Sequence, residues 1–131
     1  MAKSLPFTFS GKIVHGERVG RTIGFPTANF DHVPNEEDLD NGVHVGFCRI
    51  NKQKYYCLSY FGPRFLFGEV KNRFEVYIYD FTGQLYDKTL SVTLTHFLRP
   101  PVKIKNLEEL REQLEKDKKT ALEFLPEQSR L

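Results

Sequence analysis

Four glycines and two arginines fall within the fourteen residues from Gly11 to Gly24. Glycine lets a backbone approach a ligand closely and turn its N–H groups toward it. Arginine offers a planar cationic fork that fits phosphate. Pro26 then pins a turn, and Thr27 and Asn29 follow. A hydroxyl and an amide oxygen are hard donors, suited to a Mg²⁺ ion that also holds phosphate oxygens. Glu75 stands in the middle of Arg73–Tyr79, an aromatic and branched stretch in which glutamate is uncommon. It reads either as a surface carboxylate balanced by Arg73 or as a general base for an attacking hydroxyl. On spacing alone the glycine stretch reads equally as a Gly-rich connection between strands. It has neither the P-loop nor the dinucleotide-binding spacing.

The elements that must position these groups are mostly strands. Twelve Phe and six Tyr are scattered among Val, Ile and Thr, a mixture that suits pleated, half-buried surfaces. Strands are predicted over Phe7–Val14, Gly42–Ile50, Lys54–Phe61, Arg73–Tyr79 and Thr89–Phe97, with turns at Asn51–Gln53 and Thr82–Gln84. Phe74, Val76 and Ile78 share one face of their strand, and Arg73, Glu75, Tyr77 and Tyr79 the other. Leu90, Val92 and Leu94 point inward in the last strand. Short strands at this spacing predict a closed antiparallel barrel or a sandwich. Pro100-Pro101 ends the β region. Asn106 is then an N-cap, with Glu109 as its capping-box partner. Leu107, Leu110, Leu114 and Ala121 form a helical stripe facing the core. Asp117 lies on that stripe and reads as a hydrogen-bonded structural carboxylate.

Composition narrows the classes. The chain has 131 residues, 40% of them hydrophobic, an ordinary globular balance for one domain. No apolar run is long enough to span a membrane, and the N-terminus has no signal core. Nineteen basic and seventeen acidic residues leave +2, without the clustered excess of a nucleic-acid module. Cys48 and Cys57 are too few for a zinc site and read as reduced, half-buried strand residues of a cytoplasmic protein. The acidic stretch Asp31–Asp40 reads as a solvated loop, with a disordered lid as its functional version.

The order of the blocks adds a resemblance. Gly11-x-Ile13-Val14-x-Gly16, Gly20-Arg21 and Gly24-Phe25-Pro26-Thr27-Ala28-Asn29-Phe30 resemble the signature of riboflavin kinases. So do Glu75-Val76-x-Ile78-x-Asp80-Phe81, Leu85-Tyr86 and Leu98-Arg99-Pro100 ahead of an acidic helix. The resemblance implies a mainly β fold: a closed six-stranded antiparallel Greek-key barrel with a C-terminal α-helix. It implies a single domain over 1–131, with the barrel at about 7–99 and the helix at about 107–125. The implied reaction is Mg²⁺-dependent transfer of the ATP γ-phosphoryl to the ribityl 5′-hydroxyl of riboflavin, giving FMN. By position, Thr27 and Asn29 would hold the metal and nucleotide. Gly16, Gly20 and Arg21 would lie over the phosphates, Glu75 would be the base, and Arg99 would face the flavin. The expected partners are these small molecules, with no nucleic acid, no membrane and a monomeric state. Ten residues precede Gly11, so the adenylyltransferase domain of bacterial relatives is not expected.

Three departures mark the flavin side. Asp87 stands where the family usually has glycine, Ser59–Arg64 alters a Ser-x-Gly-x-x-Pro stretch, and Pro101–Ile104 lacks the usual acidic residue and phenylalanine. They leave a second reading, a diverged flavin-binding regulatory module without turnover. A third reading, a barrel binding single-stranded nucleic acid through Tyr55, Tyr56, Tyr60 and Arg64, is opposed by the weak net charge.

Overall fold

The structure, a computed structural model, describes residues 4–14, 27–63, 68 and 70–124. Among these, six strands form: β1 Phe7–Val14, β2 Ala28–Phe30, β3 Gly42–Ile50, β4 Gln53–Gly62, β5 Arg73–Ile78 and β6 Thr89–Arg99. Helix α1 spans Leu107–Ala121, and a 3-10 turn follows at Leu122–Phe124. The strands close into a barrel in the order β1-β2-β5-β4-β3-β6, every neighbouring pair antiparallel. Closure leaves no strand edge unpaired.

Period-two alternation builds the interior. In β5, Phe74, Val76 and Ile78 are buried while Arg73, Glu75 and Tyr77 are half-exposed. In β6, Leu90, Val92 and Leu94 face inward. Phe9, Phe30 and Phe74 meet in tilted and edge-on contacts, with ring centroids 5.0–5.4 Å apart. The outer face around Val43, Val45, Leu58 and Tyr79 is covered instead by the helix, through Ala121. Covered on both sides, β3 is buried almost throughout.

Several expectations are corrected. Alternation over three residues is too short to read, so β2 was not among the strands found by pattern. The β3–β4 hairpin turns on two residues, Asn51 and Lys52, both at positive φ (51° and 70°), as a tight primed turn requires. β6 runs two residues past Phe97, to Arg99. Cys48 and Cys57 are free but fully buried, because both side chains point into the barrel. A hydrogen bond to Cys48, together with burial, pushes the Cys57 thiol well above its ordinary value. The 31–40 segment is not a disordered lid. Its Leu39 belongs to the barrel core at 1% exposure. The Asn35 carbonyl accepts from the N–H groups of Asp38 and Leu39, and its side chain accepts from Glu37 at 2.9 Å.

The helix docks by its second half. Asn106 Oδ1 accepts from Glu109 N–H at 2.9 Å, as the N-cap reading requires. Leu107, placed on the core stripe by its spacing, is 45% exposed. The first turn stands off the barrel, and the contact comes from Asp117 and Ala121 (both buried) and from Lys118, whose carbonyl accepts from Tyr79 Oη at 3.0 Å.

Candidate active site

The ladder brings together groups that are far apart in the chain. Asn29 of β2 pairs with Val14 on one side and with Glu75 of β5 on the other. Glu75 pairs in turn with Tyr60 of β4, Tyr60 with Val43, and Val43 with Arg99 of β6. Residues directly opposite on neighbouring strands project from the same face, with Cβ atoms about 4.5–5.5 Å apart. Val76, beside Glu75, points into the core. The row Asn29–Glu75–Tyr60 therefore lies on the outer face.

Thr27 stands one residue before β2, half-buried. It and Asn29 line one wall of a cleft of roughly 860 Å³, and the connection Asp80–Tyr86 forms the other wall. Among the described residues, no three His, Cys, Asp or Glu side chains gather as a metal site. Thr27 and Asn29 offer neutral, hard oxygens, and the facing connection adds the Asp80 carboxylate and the oxygens of Thr82 and Gln84. Donors of this kind would fit a Mg²⁺ ion that also holds phosphate oxygens. Gly16, Gly20 and Arg21 lie outside the described residues.

Arg99 is engaged from the helix. Its Nε and Nη2 donate to the two carboxylate oxygens of Asp117 at 2.7 and 2.6 Å, and its Nη1 donates to the Pro100 carbonyl at 3.0 Å. Gln113 adds a bond to Asp117 Oδ1 at 2.9 Å. The Asp117 side chain is 3% exposed and that of Arg99 18%, so the pair is a desolvated fork. The reading of Asp117 as a hydrogen-bonded carboxylate agrees with this geometry. Tyr60, which the sequence names only under the nucleic-acid reading, stands between Glu75 and the Arg99 strand. Burial pushes its hydroxyl up to about 12, with Arg99 opposing and Glu75 adding to the rise. Its signal in the sequence was its place inside the altered stretch Ser59–Arg64. The Asp80–Tyr86 wall had a signal too, the Thr82–Gln84 turn directly after the Glu75 strand.

The family model for flavokinase, described as riboflavin kinase, matches residues 3–125. The chain belongs to the riboflavin kinase family. It is 34% identical over 130 residues to the bifunctional riboflavin kinase/FMN adenylyltransferase of Escherichia coli, covering 95% of this chain and 41% of that protein. It is 34% identical over 125 residues to the trifunctional protein RibF/MnmA of Mycoplasmoides gallisepticum, covering 95% of this chain and 19% of that one. The chain thus spans well under half the length of these relatives. The crystal structure of riboflavin kinase from Trypanosoma brucei superposes with a TM-score of 0.62 at 19% identity, over 95% of this chain and 82% of that one. That likeness supports the shared fold.

The departures from the riboflavin kinase pattern now separate. Asp87 has φ 67°, in the left-handed region that glycine enters freely and aspartate tolerates. Its N–H donates to the Ile13 carbonyl at 2.8 Å. A glycine at this position would meet the same backbone demand, and Asp87 follows Tyr86 of the Thr27 cleft, away from the other two departures. Gly62 and Pro101 do meet. A Cβ built on Gly62 would lie 3.5 Å from Pro101 Cγ.

Proposed function

We propose that this chain is a riboflavin kinase that transfers the ATP γ-phosphoryl to the ribityl 5′-hydroxyl of riboflavin, giving FMN and ADP. The observation that carries the reading is the direct pairing of Asn29, which lines the Thr27 cleft, with Glu75 on the neighbouring strand. Phosphoryl transfer asks for an acceptor hydroxyl, a group to take its proton, and donors for the phosphates, all within a few ångströms. Thr27 and Asn29 hold the nucleotide phosphates together with Mg²⁺, and the ion supplies charge neutralisation when bound. Gly16, Gly20 and Arg21, outside the described residues, would serve the phosphates as the family pattern implies, the glycines through backbone N–H groups and the arginine as a cationic fork. The Glu75 carboxylate takes the proton of the 5′-hydroxyl as that oxygen bonds to the γ-phosphorus. The bond from that phosphorus to the β-γ bridging oxygen breaks, and ADP leaves. Arg99 serves the flavin end by holding the Pro100–Pro101 turn, its guanidinium being committed to Asp117. Barrel and helix work as one catalytic domain, monomeric and cytoplasmic, where ATP is available and thiols stay reduced.

The test is conversion of riboflavin, ATP and Mg²⁺ to FMN, followed by chromatography, with Glu75→Gln beside the native chain. FMN from the native chain and little from the variant is the expected result. No FMN from a folded chain that binds riboflavin would replace this reading with the regulatory module.

A further inference from the structure

Three neighbouring strands carry three different groups on one face. Asn29 on β2, Glu75 on β5 and Tyr60 on β4 stand in register. The phosphate-holding residues lie on the β2 side of Glu75, so the β4 side is where an acceptor must enter for its hydroxyl to meet the carboxylate. That side is occupied by Tyr60, and nothing in the proposed chemistry uses it.

Tyr60 does not lie loose on the surface. Its hydroxyl donates to the Pro63 carbonyl at 2.5 Å, three residues along its own chain. The bond ties the ring to the chain just past the end of β4. Gly62, between the two, has φ 153°, and a Cβ there would come within 2.9 Å of the Tyr60 oxygen. A side chain at 62 would therefore push the hydroxyl off its carbonyl. The same point lies 3.5 Å from Pro101 Cγ, so the segment after β6 approaches the end of β4. The ring itself packs on the apolar cluster of Val43, Val45 and Leu58 beneath the helix. Tyr60 is thus anchored from below, and its oxygen holds the Pro63 carbonyl just past the end of β4, on the strand that pairs with Glu75 through Tyr60. Burial keeps that oxygen protonated, and so a donor, across the neutral range.

We infer that Tyr60 is a positioning residue for the acceptor: through its bond to the Pro63 carbonyl it sets the wall against which riboflavin lies while Glu75 takes the hydroxyl proton. This rests on the kinase reading. It places acceptor recognition partly in a hydroxyl that touches neither ATP nor metal.

The experiment compares Tyr60→Phe and Gly62→Ala with the native chain, measuring KM for riboflavin, KM for ATP and kcat, and riboflavin affinity by fluorescence quenching without ATP. Loss of one such hydrogen bond weakens riboflavin about fivefold to tenfold. The expected result is that rise in riboflavin KM and Kd in both variants, with ATP KM unchanged and kcat within about twofold. Unchanged riboflavin constants in Tyr60→Phe overturn the inference. So does an equal rise in both substrates' KM, which would mark general loosening of the barrel. If the native chain makes no FMN, the kinase reading falls separately, and the quenching titration still decides whether Tyr60 governs riboflavin binding.

Discussion

The two sides of Glu75 are built differently. On the side proposed for the nucleotide, Thr27 and Asn29 come from one continuous motif, Gly24–Phe30, with Asn29 in the three-residue strand β2 and Thr27 just before it. On the side proposed for the acceptor, Tyr60, Gly62, Arg99 and Pro101 come from two strand ends and are joined by contacts across long stretches of chain. The Arg99 fork reaches further still, to Asp117 on the helix. One side rests on local backbone geometry and the other on tertiary ties. The first side can therefore be read as a string in the sequence, whereas the second is assembled only by the fold.

The strongest way to break the comparison is at its centre. Glu75→Gln should lower turnover about 10²–10⁴-fold with riboflavin and ATP still bound, read by single-turnover FMN formation and by titration. Near-normal turnover would remove the boundary between the two sides. Next is the helix tie. Asp117→Ala leaves a buried guanidinium unpaired, which costs about 3–5 kcal/mol and lowers the melting temperature by roughly 10–20 °C. Replacing Arg99 and Asp117 together by Leu should cost much less than either single change. A double-mutant cycle with no coupling would show that the fork does not hold the acceptor side.

The third prediction concerns acid. His44 is buried, its Nδ1 has no hydrogen-bond partner among the described residues, and its ring meets Phe97 edge-on at 5.2 Å. Burial lowers its pKa to about 4, with Asp40 opposing. The unfolded chain takes up this proton near pH 6.5 and the folded chain near 4, so stability is full above the higher value. It falls as the pH drops between the two, by about 3 kcal/mol in all. His44→Leu should flatten that part of the pH–stability curve. Because His44 packs on the β6 strand that ends at Arg99, acid should weaken riboflavin binding before ATP binding.

The smallest effect belongs to the nucleotide side. Asp87→Gly keeps the left-handed backbone and should change stability by less than about 1 kcal/mol, whereas Asp87→Val should lose about 1–2 kcal/mol. Equal melting temperatures for the two variants would show that residue 87 is not held at positive φ.

Much of the barrel could be read directly. β1, β5 and β6 alternate cleanly because one face of each is buried against the interior. β2 could not, since three residues carry no period, yet it is the strand that brings Asn29 to Glu75. The helix cap was legible because capping is local chemistry between Asn106 and Glu109. The helix contact face was not. Spacing alone puts Leu107 and Ala121 on the same stripe, and only docking shows that the first turn overhangs. Asp117 looked like an odd polar residue on that stripe until its partner, Arg99, arrived from another element.

By itself the sequence determined five of the six strands, the helix, its cap and the order of the motif blocks, because each depends on neighbours within a few positions. It also carried Thr27, Asn29 and Glu75 as candidates, through residue type alone. Tertiary structure decided which of them meet. Barrel closure sets β2 beside β5 and β5 beside β4, so that Asn29, Glu75 and Tyr60 stand in one row. It also decided that Arg99 answers to the helix and that the 31–40 segment sends Leu39 into the core. Those outcomes depend on which distant surfaces exclude water together, a property of the folded chain that no local pattern records.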